Sequence, residues 1–284
     1  MRKRILIKNR GPSQKMDEKR CHCSLPFARL PQGPLSDGEA SLIKVLLAGI
    51  SCPEEVIDEV VVGPKQVLVR SGDRVGIATT LGSSDQKVLS EADSLTGGTL
   101  KEAASLLYDD LLLNRSLGAA ALNAALEAVA DEESPNALEL ILREGRGRHV
   151  AVVGDFPFTA RIAEAAGQLS LLELKDRPGC LPPDRWDEAL RSCDVAAITG
   201  TALLTRSMDR YLSLSSEAYQ VVVGATAPLS PVLMDRYGVD VIAGSVVADI
   251  EGVRAGILEG WSIAALHRAG CLRFCNRTGH RPPL

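Results

Sequence analysis

The sequence predicts an α/β protein in two parts: a C-terminal Rossmann-like parallel sheet with helices on both faces, preceded by a smaller α+β domain. Three observations predict it. Residues 150–153, 169–172, 195–198, 221–223 and 239–242 are short, mainly apolar runs rich in Val, Ile, Leu and Ala, separated by amphipathic segments. Strands buried on both faces have this composition, and alternation with helices implies parallel pairing through right-handed crossovers. Upstream, β-branched runs stand at hairpin spacing, which predicts an antiparallel meander. Between the two parts, residues 131–136 form an acidic turn ending in Ser134-Pro135-Asn136, the natural boundary.

Taken in order, residues 1–35 form a basic, then Pro- and Gly-rich leader with no apolar signal-peptide core, expected to be disordered. Met16 is a second possible start. The first domain is expected over 36–134. Leu42, Ile43, Leu46 and Leu47 stand at helical spacing, with Asp37 as the expected N-cap. Residues 56–62 read as a strand stopped by Gly63-Pro64, and 67–70 and 75–79 as a hairpin around Ser71-Gly72-Asp73-Arg74. Helices are expected over 100–107 and 116–130. The second domain is expected over 135–262, with helices over 137–143, 159–166, 184–190, 207–214, 231–236 and 251–259, and 263–284 is read as a tail.

Composition narrows the function classes. The chain has 284 residues, 45% hydrophobic, and a net charge of −4. No positive field is available for a phosphate backbone, and 4% aromatics leaves no base-stacking platform, so nucleic acid is not an expected partner. No run approaches the roughly 18 apolar residues of a spanning helix, so no membrane insertion is expected. Seven cysteines without a small secreted framework suit reduced thiols and a cytoplasmic location.

In an open parallel sheet, ligands bind beyond the carboxyl ends of the strands, at the switch point. The exits here are Gly154-Asp155-Phe156-Pro157, then Glu173, then Thr199-Gly200-Thr201, then Gly224 with Thr226, then Gly244-Ser245. Glycine lets backbone approach a ligand, and hydroxyls add directed hydrogen bonds. The first exit is not a GxGxxG loop, and Pro157 lacks the amide a pyrophosphate needs, so no dinucleotide is expected. Glu173 nevertheless stands where an acidic residue grips a ribose, which keeps a nucleotide or S-adenosylmethionine in view. Pairing of Glu173 with Lys175 or Arg177 is the structural alternative.

No P-loop, HExxH or paired Cys-x-x-Cys motif is present. Cys21-His22-Cys23 lies in the leader. Cys271, Cys275 and His280 form a loose cluster that becomes a soft-metal set if both thiols share a helix turn. Cys180 and Cys193 read as packing residues.

At the same exits the sequence resembles the putative heavy-metal chelation family, a Rossmann-like domain behind a domain similar to the N-terminal domain of enolase. The residues that carry it are Val153 through Phe158, Glu173 with Arg177-Pro178-Gly179, Thr199 through Leu203, Gly224 with Pro228-Leu229, Tyr237 through Asp240, and Ala243-Gly244-Ser245. Upstream, Val62-Gly63-Pro64, Gly76 through Thr80, and Ala120 through Ala124 resemble the companion domain. The resemblance runs from about Ser36 to Gly260. Asp155 stands where the family often carries His, Thr205-Arg206-Ser207 replaces an Asn-x-Thr-like turn, and Ala225 and Ala227 replace an expected Pro and Thr. The resemblance implies binding of a metal ion or metal-bearing small molecule in the interdomain cleft. Asp155, Glu173, Thr199, Thr201 and Thr226 would line one side and Thr79, Thr80 and Asn123 the other. An enzyme using S-adenosylmethionine or a nucleotide is one alternative, and a non-catalytic adaptor is another.

Overall fold

The computed structural model describes residues 41–82, 94–126, 136–174 and 177–279. Asp37, His280 and the 21–23 cluster lie outside them.

In the N-terminal half, β1 (Glu59–Val62), β2 (Gln66–Ser71) and β3 (Arg74–Thr79) form an antiparallel sheet in that order. The expected meander is present. Its hairpin closes at Ser71↔Arg74 through a two-residue turn in which Gly72 takes φ 57°, the left-handed conformation such turns require. One face, with Val60, Val62, Val67, Val69 and Ala78, packs on α1 (Leu42–Ala48), α2 (Leu100–Ala104) and α3 (Leu112–Ala125). A Thr99–Glu102 capping box starts α2. Helix α3 begins four residues before its expected start and ends at Ala125. Its Ala-rich surface lets β3 come unusually close: a Cβ on Gly76 would lie 2.0 Å from the Ala120 carbonyl oxygen.

The C-terminal half is a six-stranded sheet. Its strands are β4 (His149–Val153), β5 (Gln168–Leu172), β6 (Val195–Thr199), β7 (Tyr219–Val223), β8 (Val241–Val247) and β9 (Leu272–Thr278), ordered β5-β4-β6-β7-β8-β9. The first five are parallel, and β9 runs antiparallel to β8. Both faces are covered, as the apolar runs predict. Val150, Val152, Val195 and Val221 meet α4 (Ala137–Gly145) and α5 (Thr159–Ala165). Ala151, Val153, Ile198, Val222 and Ile242 meet α6 (Trp186–Ser192), α7 (Met208–Leu214) and α8 (Pro231–Tyr237). Numbered from β4, the parallel order is 2-1-3-4-5, which puts the switch point between β4 and β6.

The expected tail is a correction. Residues 263–278 form α10 (Ile263–Arg268) and β9, the sixth strand, after α9 (Ile250–Glu259). These elements also unite the two halves. Val61, Leu68 and Ile77, on the second face of the N-terminal sheet, pack with Val253 and Ile257 of α9, Leu266 of α10 and Leu272. A Cβ on Gly63 would lie 2.3 Å from the Ile257 carbonyl oxygen. Arg254 pairs with Glu59 at 2.9 Å. Arg206, at φ 56°, donates to the carbonyls of Tyr108 and Asp109, while the buried Arg115 donates to the Leu204 carbonyl at 3.1 Å.

Candidate functional site

At the switch point, Gly154 closes β4 with φ 95°, and its N–H donates to the Leu172 carbonyl at 2.8 Å. A Cβ there would lie 3.0 Å from Thr199 Cγ2, a tight contact, and the positive φ itself favours glycine where the β4 and β6 exits adjoin. Thr199 accepts from the Thr201 N–H at 3.3 Å, and the two hydroxyls are 2.9 Å apart. Next to Gly154, Asp155 and Pro157 are exposed, and Phe156 and Phe158 stack with ring centroids 5.1 Å apart. The Phe156 N–H donates to Thr159 Oγ1 at 3.1 Å, which fixes the start of α5.

Glu173 is half-buried at the β5 exit. The chain returns beside it through Arg177-Pro178-Gly179-Cys180, a turn with Gly179 at φ 88° and the Cys180 N–H donating to the Arg177 carbonyl at 3.1 Å. Cys180 then bridges Leu171 of β5. Arg177 forms an ion pair with Asp155, not Glu173. Burial first, then the Glu173 carboxylate, push the Cys180 thiol up. The turn thus brings Arg177 and Cys180 next to the β4 and β5 exits. The sequence signal for them is the Pro178-Gly179 turn, which folds the segment back onto the β5 exit.

The β7 and β8 exits differ. Thr226 is buried; its hydroxyl accepts the Thr79 N–H at 2.9 Å and donates to Thr79 Oγ1 at 3.0 Å. Asn123 Nδ2 donates to the carbonyls of Ile77, at 3.0 Å, and Ala225, at 3.4 Å. Thr80 donates to the Gly63 carbonyl at 2.8 Å. Thr79, Thr80, Asn123 and Thr226 thus join chain to chain along the edge of β3. Gly200 packs under the same loop, its Cβ position 2.3 Å from the Ala227 nitrogen. Gly224, at φ 116°, donates to the Ala243 carbonyl at 2.9 Å. Gly244 accommodates Leu229, and Ser245 stands opposite Phe274 of β9.

The C-terminal thiols do not form the expected pair. Cys271 precedes β9 and Cys275 lies within it, so no helix turn carries them. Four residues along a strand separate their Cα atoms by about 13 Å. Cys271 is packed beside Gly252, and Cys275 is buried opposite Gly244, where burial pushes its thiol up. The cluster cannot close on one ion. At the β4–β6 exits the protein's own donors do not make a closed metal cage. Asp155 is engaged by Arg177, and among the described residues no three His, Cys, Asp or Glu side chains are grouped to hold one. No helix of the described residues is long and apolar enough to cross a membrane.

Two family models, each described as putative heavy-metal chelation, match residues 43–126 and 136–276. The chain belongs to this family. The matches extend beyond Gly260 and include both Cys271 and Cys275. They support a metal-related role in general. Among curated proteins, an uncharacterized protein of Methanocaldococcus jannaschii is 25% identical over 195 residues, 65% of this chain and 75% of that one. Two crystal structures of family members of unknown function share the fold. The one from Desulfitobacterium hafniense superposes with a TM-score of 0.72 at 24% identity, covering 83% of this chain and 97% of that chain. The one from Pyrococcus horikoshii gives 0.65 at 20% identity, covering 84% and 98%.

Proposed function

We propose that this chain binds a metal ion or metal-bearing small molecule at the exits of β4, β5 and β6. Gly154, Asp155, Glu173, Thr199 and Thr201 are the contact residues. The observation that carries the reading is the close approach of Gly154 to Thr199 at the switch point, where a side chain on residue 154 would crowd Thr199. Asp155 and Glu173 place two carboxylates at this corner, the first of them paired with Arg177. The metal-related description of the family supports the choice of ligand class. The acidic residue after β5 is also the observation that favours the rival, a ribose-bearing ligand such as a nucleotide or S-adenosylmethionine.

Titration calorimetry against zinc, manganese and magnesium, each as the chloride and as the citrate complex, and against S-adenosylmethionine tests the reading, with Gly154→Val as the control. We expect binding in a metal-containing titration and its loss in Gly154→Val, with the circular dichroism spectrum retained. Binding of S-adenosylmethionine alone would transfer the site to the rival. No binding of any ligand would favour an adaptor role.

A further inference from the structure

Resting on the reading above, we infer that the site takes its metal as a preformed anionic chelate, recognised through Arg177, with the metal's ligands supplied by the chelator. The Asp155–Arg177 pair carries the argument. A carboxylate that coordinates a cation gains nothing from a guanidinium bonded to it, because the two positive charges compete for the same oxygens. Here the Arg177 Nη1 donates to Asp155 Oδ2, across 22 residues of sequence, and the turn at Pro178-Gly179 holds the guanidinium at that corner. The grouping expected of a protein-built metal cage is also missing: no three His, Cys, Asp or Glu side chains converge among the described residues.

The pair suits an anion-receiving role instead. Both side chains are accessible, Arg177 being 50% and Asp155 36% exposed, and an ion pair so exposed is weak and exchanges readily. A guanidinium binds an incoming carboxylate through two parallel N–H donors, which Asp155 supplies a place for by acting as a removable stand-in. The surroundings fit a polycarboxylate with a carbon skeleton. Leu174, 41% exposed beside Glu173, offers apolar contact, and the adjoining hydroxyls of Thr199 and Thr201 offer neutral hydrogen-bonding groups. The ligand class is therefore a small polycarboxylate chelate of a transition metal.

The two modes of binding predict opposite signs for one substitution. If Asp155 is a stand-in, Asp155→Asn frees Arg177 and tightens chelate binding several-fold. If Asp155 is a metal ligand, the same change weakens binding. The experiment is titration calorimetry of the full chain with zinc citrate, zinc nitrilotriacetate and zinc chloride, using wild type, Asp155→Asn, Arg177→Gln and Arg177→Lys. We expect at least one chelate to bind at least tenfold tighter than zinc chloride. That binding should be strengthened in Asp155→Asn, lost in Arg177→Gln and partly restored in Arg177→Lys. Zinc chloride binding as tightly as both chelates, with weakening in Asp155→Asn, would overturn the inference. If that zinc binding is lost in Gly154→Val, the site itself stands. Failure of both chelates to bind also overturns the inference, and failure of zinc chloride in addition removes the site.

Discussion

The six-stranded sheet ends its parallel strands in two different ways. At the β4, β5 and β6 exits, Gly154, Asp155, Glu173 and Arg177 form an accessible corner with a charged pair. At the β7 exit, Thr226 is buried and both its hydrogen bonds go to Thr79 of the N-terminal sheet. The two sets of loops have the same composition, glycine with a hydroxyl or carboxylate. Their difference is whether another part of the chain covers them, although on the covered side Asn123 Oδ1 and Ser245 Oγ are buried without a hydrogen-bond partner. Such loops stay accessible where the N-terminal half leaves them open and serve as a seam where it covers them.

The largest effects should fall on the sealed side. Gly76→Ala puts a Cβ 2.0 Å from the Ala120 carbonyl, backbone against backbone with no flexible side chain to move. We expect a loss of about 3 kcal/mol in urea unfolding, as for overpacked cores. Thr226→Val keeps the shape but leaves the Thr79 N–H without its acceptor, for an expected loss of about 2 kcal/mol. If both variants are as stable as wild type, the β7 exit is no seam.

Arg206 tests the clamp between the halves. Arg206→Ala removes its bonds to the Tyr108 and Asp109 carbonyls yet keeps a left-handed non-glycine residue, whereas Arg206→Gly removes the bonds and relieves the backbone. The glycine variant should be the more stable of the two by about 1 kcal/mol, and less stable than wild type. A glycine variant above wild type would show that the clamp contributes less than the strain. On the open side, Asp155→Ala should change stability by less than about 1 kcal/mol, because its ion pair is exposed. A loss as large as that of Thr226→Val would make the corner structural.

The smallest effect appears only at high pH. Burial pushes the Cys193 thiol, which packs in the core before β6, up to about 11 from its ordinary 9.0. Below pH 9 the thiol is protonated in both folded and unfolded chains, and its contribution is fully present. From pH 9 the unfolded chain's thiol ionises while the folded one stays neutral, so stability falls as pH rises towards 11. Cys193→Ala should flatten that fall in urea unfolding measured between pH 8 and 10.5. An identical slope in the variant would exclude the thiol as its source.

The β4 to β8 strands were legible because burial on both faces makes each run mostly apolar; the ends of β4 to β7 fall within two residues of the expected ones, whereas β8 continues to Val247, past the expected 242. The β9 strand was not. Its sequence, Leu-Arg-Phe-Cys-Asn-Arg-Thr, mixes charges with apolar residues because it is an antiparallel edge, and charged edges resist further pairing. The condition set for the Cys271–Cys275 cluster, a shared helix turn, fails for the same reason, because the chain is extended there. At the site, Gly154, Gly200 and Gly224 could be read from their places after the strands, whereas Gly244 and Ser245, expected as an exit, lie inside β8. The partner of Arg177 could not, because Glu173, four residues away, was the nearer candidate, whereas Asp155 lies 22 residues off in sequence.

The sequence by itself determined the two sheets, the both-face burial of the second, and the glycines that let its exits adjoin. These follow from local composition and backbone geometry, which a run of residues carries with it. Only the tertiary structure decided which exits stay open. That choice depends on where β3 and α9 lie against the six-stranded sheet, and so on Thr79 meeting Thr226 across 147 residues and Gly63 meeting Ile257. A hydroxyl beside a glycine has the same chemistry in a ligand site and in a seam. Its partner sets its role, and the partner is chosen by packing.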